Sequence, residues 1–199
     1  MRAGKIAVIS KAQVSGEPKL LTTGPTTSRI AIAVHVDEGE QYRLGVINFR
    51  HNKTLTNKKV LRGLFPIKDG EITSHKKIAE GLAGLNKAYE VQGFINATFF
   101  PEAHFDDEQH FVSFIIDVDE GKQFYISSIS LIGESEDALA AAGQDLALKV
   151  GQQYNQNLVD LFLAKHPPTV FDDSITARHF DLNKGTVDIT LEIRQCQSK

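Results

Sequence analysis

The sequence predicts an α+β protein made of tandem βααββ units, each a three-stranded mixed sheet with two helices on one face. Three observations predict it. VDEGEQYRLGVINFR begins at Val36 and VDEGKQFYISSISLI at Val118, an offset of 82 residues. Tyr42 then answers Phe124, Leu44 answers Ile126, Ile47 answers Ile129 and Phe49 answers Leu131. Upstream, Ile30, Ile32, Val34 and Val36 fall on Val112, Phe114, Ile116 and Val118. A tetrapeptide recurs by chance, but a matched apolar pattern on both sides of it marks an internal repeat. The second observation is the spacing of Ile78, Leu82, Leu85 and Tyr89, at i, i+4, i+7 and i+11, one face of a helix. The third is that each copy closes on two strand-like segments separated by turn residues.

Taken in order, KIAVIS, KLLTT and SRIAIAVHV read as extended, with GEP and TTGPTT as breakers. Residues 1–39 are expected to be the closing β-segment of a preceding unit. The first full unit, 40–121, opens with YRLGVINF, a strand whose apolar phase switches between Val46 and Ile47, as a bulge or a linker feeding the strand would explain. Thr56 is expected to cap a short helix with Val60, Leu61, Leu64 and Phe65, stopped by Pro66. A turn at Lys68-Asp69-Gly70 leads to the second helix, capped by Ser74 or Thr73 and closed by Gly93 in a left-handed conformation. INATFFP and HFVSFIIDV follow as strands, with EAHFDDEQ as their hairpin loop. If the third strand is central, INATFFP lies at an edge, ended by Pro101.

The second unit, 122–199, repeats this grammar with QFYISSISLI as strand and EDALAAAGQDLALKV as helix. Leu158, Leu161 and Phe162 mark a second helix that ends before Pro167-Pro168. A hairpin turns at Asn183-Lys184-Gly185, with Val187, Ile189, Leu191 and Ile193 on one face. Gly39 and Gly121 bend the chain where one unit hands over to the next. Glu38, Gly39 and Tyr42 are thus expected at one joint and Glu120, Gly121 and Phe124 at the other, with the two aromatic rings wedged into them.

Composition excludes several classes of function. The 22 basic residues are outnumbered by 25 acidic ones, so no nucleic-acid partner is expected. The single cysteine, Cys196, cannot form an internal disulfide. IAVIS is too short for the core of a secretory signal, and no run approaches the roughly 20 apolar residues of a membrane helix. A soluble chain is expected, compatible with a mature segment of a longer protein. His104 and His110 flank Asp106, Asp107 and Glu108, which are acceptable ligand types, but the spacing fits a solvated hairpin loop better than a metal motif. His166, His179 and the Asp172-Asp173 pair read as surface positions beside turns. There is no G-x-S-x-G elbow, and GEITS lacks the Lys-Ser/Thr ending of a phosphate loop. A non-enzyme without metal or cofactor is expected. A hydrolase using the histidine and acid loops is the weakest alternative.

These features resemble the POTRA (polypeptide-transport-associated) domain family. The matching residues are Val36, Glu38, Gly39, Tyr42, Ile47 and Phe49, then Leu85, Tyr89, Gly93 and Phe94, and VDEG at 118–121. The resemblance covers residues 36–134 well and 135–193 weakly, because HPPTVFDDS stands where the L…Y…GF pattern would recur. It implies tandem periplasmic domains ahead of an outer-membrane β-barrel that is absent from this chain, in proteins of the bacterial surface-antigen and barrel-assembly type. It implies unfolded or nascent outer-membrane β-barrel proteins as partners, bound as an added strand. The edge expected to accept them carries Ile95, Ala97 and Phe99. An open edge offers main-chain hydrogen bonds to any strand of suitable shape, which suits many clients. The alternative partners are fixed subunits of an envelope complex.

Overall fold

A computed structural model describes residues 13–23, 28–37, 40–133, 136–166 and 176–193. Strands β1 (Gln13–Thr23) and β2 (Ser28–Asp37) form an antiparallel pair. The Gly16-Glu17-Pro18 run, expected as a breaker, lies inside β1 opposite Val34, Ala33 and Ile32. A two-stranded ribbon leaves each strand one unpaired side, where the missing Pro18 N–H costs no ladder bond. KIAVIS lies outside the described residues, as do Pro167-Pro168.

The first unit follows as β3 (Arg43–Arg50), α1 (Lys58–Gly63), α2 (His75–Glu90), β4 (Thr98–Asp106) and β5 (Phe111–Asp119). The sheet order is β3-β5-β4, with β3 parallel and β4 antiparallel to the central β5. This is the mixed sheet that the sequence predicts. The register slips between Leu44 and Ile47, where the apolar phase switches. The bulge is held by Ser113, whose Oγ accepts from Val46 N–H at 3.2 Å. One face of the sheet, with Leu44, Ile47, Phe49, Val112, Phe114 and Ile116, packs against Leu61, Ile78, Leu85 and Tyr89 from the helices.

Two boundaries differ from expectation. Asn57, not Thr56, caps α1: its Oδ1 accepts from the N–H groups of Lys59 and Val60. β4 runs through Pro101 to Asp106, so only residues 107–110 form the hairpin loop. Pro101 does not end the strand because β4 is an edge strand, where an N–H turned away from β5 is dispensable. Ser74 caps α2 as expected, its Oγ accepting from Lys77 N–H.

The second unit repeats the order with β6 (Tyr125–Gly133), α3 (Glu136–Asp145), α4 (Gln156–Lys165), β7 (Thr176–Asp181) and β8 (Thr186–Ile193), and its sheet order is β6-β8-β7. Its bulge falls between Ile126 and Ser128. Phe124, Ile126, Tyr154, Val159, Phe162, Val187, Ile189 and Leu191 form a separate buried core. The helix expected over EDALAAAGQDLALKV stops at Asp145, yet Leu148 beyond it is buried. Of the residues that mark α4, Phe162 is buried with Val159, and Leu161 is 62% exposed. Among the described residues no helix is long and apolar enough to cross a membrane.

Candidate functional site

The edge of the first sheet is the first candidate surface. Along β4, Phe99, Pro101, Ala103 and Phe105 turn toward the core and are half-buried, while Thr98, Phe100, Glu102, His104 and Asp106 stand on the open face. Alternation of this kind follows from the two-residue period of a strand. Because β5 pairs with β3 on its other side, the outer side of β4 is a sheet edge among the described residues. Of the three residues expected there, only Phe99 lies on the strand, with its ring 5.5 Å from that of Tyr89.

Ile95 and Ala97 precede the strand, and the reason is the way α2 ends. Phe94 N–H donates to Tyr89 O and Gly93 N–H to Glu90 O, both at 3.0 Å, and Gly93 has φ +78°. These two bonds define a Schellman closure, and the Phe94 and Tyr89 rings, edge-on at 6.0 Å, supply the apolar contact that accompanies it. A further turn, Ala97 N–H to Phe94 O, delays the strand. Ala97 is consequently buried in the first core, and Ile95 packs against the second.

That turn is also where the two units meet. Phe124 N–H donates to Gly93 O at 2.9 Å, and Gln123 Nε2 to Gln92 O at 2.9 Å. Gln153 Nε2 reaches Gln92 Oε1 at 3.4 Å, and Tyr154 N–H closes on Phe124 O at 2.8 Å. A Cβ on Gly93 would stand 3.0 Å from Phe124 O, so a close approach and a positive φ both call for glycine there. Gly121 has φ +66° and bends the chain as β5 leaves the first sheet.

The aromatic rings expected to wedge into the joints belong to the cores instead. Phe124 is fully buried in the second core, perpendicular to Phe180 at 5.5 Å, and only its backbone bridges the units. Tyr42 is buried in the first core, edge-on to Phe105, and its hydroxyl donates to Asp107 Oδ1 at 2.7 Å. A ring that follows a chain reversal by three residues has already entered the next strand's pleat, which aims it at that unit's core. Glu38 and Gly39 lie outside the described residues.

Glu120 makes a specific contact, but within the first unit. Its carboxylate accepts from Thr54 N–H at 2.7 Å, from Thr54 Oγ1 at 2.9 Å and from Tyr89 OH at 3.1 Å. Burial, reinforced by the Glu120 charge, pushes the Tyr89 phenol well above its ordinary value. Across the open face, His51 and then Arg50 hold the Asp117 carboxyl below the usual carboxylate range, at 2.6 and 2.9 Å. Burial likewise raises Tyr154, against the opposing effect of Arg178.

The histidines are dispersed. His104 faces Glu102 at 3.6 Å, His110 faces Glu40 at 3.2 Å, and His166 faces Asp145 at 3.2 Å beside the Phe162 ring. His179 stands on β7, and Asp172-Asp173 lies outside the described residues. Among the described residues no group of three His, Cys, Asp or Glu could hold a metal ion. Sequence reasoning missed Gln92, Gln123 and Gln153, since glutamine carries no spacing signal. Gly93 was the available pointer to the joint, and the amides reveal their pairing only in three dimensions.

Two strand-helix-helix-strand-strand units joined through a buried turn define a modular scaffold. A family model described as "POTRA: Surface antigen variable number repeat" matches residues 42–121. Among solved structures, Haemophilus influenzae BamA POTRA3-5 aligns with a TM-score of 0.64 at 21% identity, covering 93% of this chain and 73% of that one. BamA from Haemophilus ducreyi lacking POTRA domains 1-3 aligns with a TM-score of 0.61 at 16% identity, covering 78% of this chain but 30% of that one. At these identities the likeness is one of fold. Residues 42–121 are a POTRA domain, and the chain has the fold of tandem POTRA domains.

Proposed function

We propose that the chain is a periplasmic, non-catalytic POTRA module of an outer-membrane protein, which assists assembly, insertion or translocation of β-rich proteins. It does so by adding an extended client segment to the outer side of β4, while the joint sets where the neighbouring unit presents its own surface. The observation that carries this reading is the sheet order β3-β5-β4, which leaves nine residues of β4 at an edge. The other edge is less available. Glu71 O accepts from Leu44 N–H and Gly70 N–H donates to Leu44 O, so the loop before α2 covers the first part of β3. Pro101 limits the edge, since an added strand finds no donor there. Acceptance is therefore broad and pairwise weak, which suits transient clients.

Residues 1–39 are proposed as the closing segment of a preceding unit, with 40–121 and 122–199 as the two units that follow. The support is that β2 matches β5 at the repeat offset, Val36 falling on Val118, and that each pairs antiparallel with the strand before it. The partners proposed are unfolded or nascent outer-membrane β-barrel proteins and envelope-complex subunits, with the membrane reached through a barrel encoded elsewhere in a longer protein.

The test is an amide titration with an unfolded barrel peptide. Shifts are expected at Phe99 and Ala103, in phase with Pro101, and Ala103→Pro should weaken binding about fivefold by removing one outward donor. Unperturbed β4 amides at saturation would count against strand addition at this edge.

A further inference from the structure

The helical face of the first unit carries a feature that the strand-addition reading does not use. Between the loop after β3, helix α1 and the end of α2 lies a groove of about 420 Å³, walled by Leu55, Val60, Leu61, Leu64, Ala88 and Val91. That volume lies within the range of roughly 300–1,000 Å³ typical of ligand pockets. Val60 is 60% exposed, an unusual position for a β-branched apolar side chain on a short helix.

Most of the groove's polar lining is already engaged. Thr54 Oγ1 donates to Glu120, Asn57 Oδ1 accepts from the first turn of α1, and Gln92 O accepts from Gln123. Two of its walls are helical and present side chains, and the third, residues 54–57, is too short to offer a row of unpaired backbone groups. A strand laid here would leave its own N–H and C=O groups facing apolar carbon. A helix arrives with those groups satisfied and offers an apolar stripe of matching width.

Charge selects among helices. The wall residues are flanked in sequence by Lys53, Lys58, Lys59 and Lys87, all exposed, and none of the four forms an ion pair among the described residues. Glu90, the acidic residue nearby on α2, accepts from Asn86 Nδ2. Set against Glu90 and Glu120, the four lysines leave a local excess of positive charge beside the groove in a chain of net charge −3, which attracts acidic flanks and repels basic ones. We propose that this groove docks an amphipathic helix of a partner protein, with apolar anchors at i, i+4 and i+7 and acidic residues beside them. The far wall depends on the length of α2. Helix α4 is six residues shorter, so among the described residues the second unit has no helical wall of equal length.

The test uses the whole 199-residue chain, methyl-labelled, and a side-chain-stapled helical peptide of roughly 15 residues with leucines on one face and glutamates flanking them. Methyl shifts are expected at Leu55, Val60, Leu64 and Val91. Val60→Glu should weaken binding about tenfold, and so should a peptide with lysine in place of glutamate at low salt. Val60 is exposed, so its variant should keep the circular dichroism of the parent. Four results would each overturn the proposal: shifts confined to β4, equal binding of a peptide whose leucines are scrambled off one face, indifference to Val60→Glu, or concentration-dependent shifts of the same methyls without peptide. The last would mean that a second copy of the chain covers the groove.

Discussion

The two units solve the same packing problem with different residues, and the difference explains where the joint comes from. In the first, Leu44 N–H donates to Glu71 O, Gly70 N–H to Leu44 O and Thr73 N–H to Tyr42 O, at 2.8, 2.7 and 2.9 Å. In the second, Ile126 N–H donates to Gln152 O, Gly151 N–H to Ile126 O and Tyr154 N–H to Phe124 O, at 2.8, 2.7 and 2.8 Å. The tie between first strand and second-helix loop is therefore conserved bond for bond within the chain, although the repeat offset has moved from 82 to 81 residues. Past the helices the correspondence changes again. Asp106 pairs with Phe111 and Asp181 with Thr186, an offset of 75. The six residues lost are the difference between α2, with 16 residues, and α4, with 10. In the first unit that extra length carries Leu85 and Tyr89 into the core and delivers the turn at Gly93 to the second unit. The joint is thus built at the end of the helix that is longer in the first copy.

The sharpest way to break the comparison is in the cores. At the offset of 81, Phe65 corresponds to Leu146 and Gly81 to Phe162. The first unit places a ring after α1 and nothing on the facing helix; the second places the ring on the helix. A Cβ on Gly81 would stand 2.0 Å from Phe65 Cδ1. Gly81→Ala should therefore destabilise the first unit by roughly 1–3 kcal/mol in chemical denaturation, although alanine is the better helix former. Adding Phe65→Leu, which recreates half of the second unit's arrangement, should recover most of that loss. Additive effects in the double-mutant cycle would show that the two positions do not share one volume.

This exchange also shows what sequence reading reaches. The strand pairing, the bulge at Val46 and Ile47, the buried stripe Ile78-Leu85-Tyr89 and the glycine at the end of α2 were all legible, because each is a local pattern of period or conformation. Ile95, Ala97 and Phe99 also alternate, and so read as one strand face. The backbone bonds at Gly93, Phe94 and Ala97 break that alternation, and they leave no mark on side-chain hydrophobicity.

The joint gives the next largest effect. Gly93→Ala meets both a positive φ and a carbonyl at 3.0 Å, so a cost of about 1–3 kcal/mol and a changed angle between units are expected. Gly121→Val meets only ordinary contacts, at 3.5 Å or more from Asn96, and strains the backbone alone. Small-angle scattering should change for both and unfolding should shift more for Gly93→Ala. An unchanged scattering profile in both variants would mean that these turns do not set the orientation.

The smallest effect separates the units by their tyrosines. Tyr89 OH donates to Glu120, whereas Tyr154 OH meets Gln156 at 2.5 Å with Arg178 beside it. Both phenols are raised by burial, but the Glu120 charge pushes Tyr89 further and Arg178 opposes the shift in Tyr154. A phenol with a raised folded-state pKa contributes stability that is fully present below its unfolded value of 10.0 and is lost as pH rises through the folded value. The first unit should therefore lose stability above pH 10, and Tyr89→Phe should remove that dependence at a cost of about 1 kcal/mol near neutrality. The phenyl ring keeps its contacts with Phe94 and Phe99, so the change isolates the hydroxyl. Alkaline difference spectra paired with denaturation curves would check it. If Tyr89→Phe leaves the alkaline loss unchanged, the hydroxyl's bond to Glu120 is not what fastens the end of α2 to the loop at Thr54.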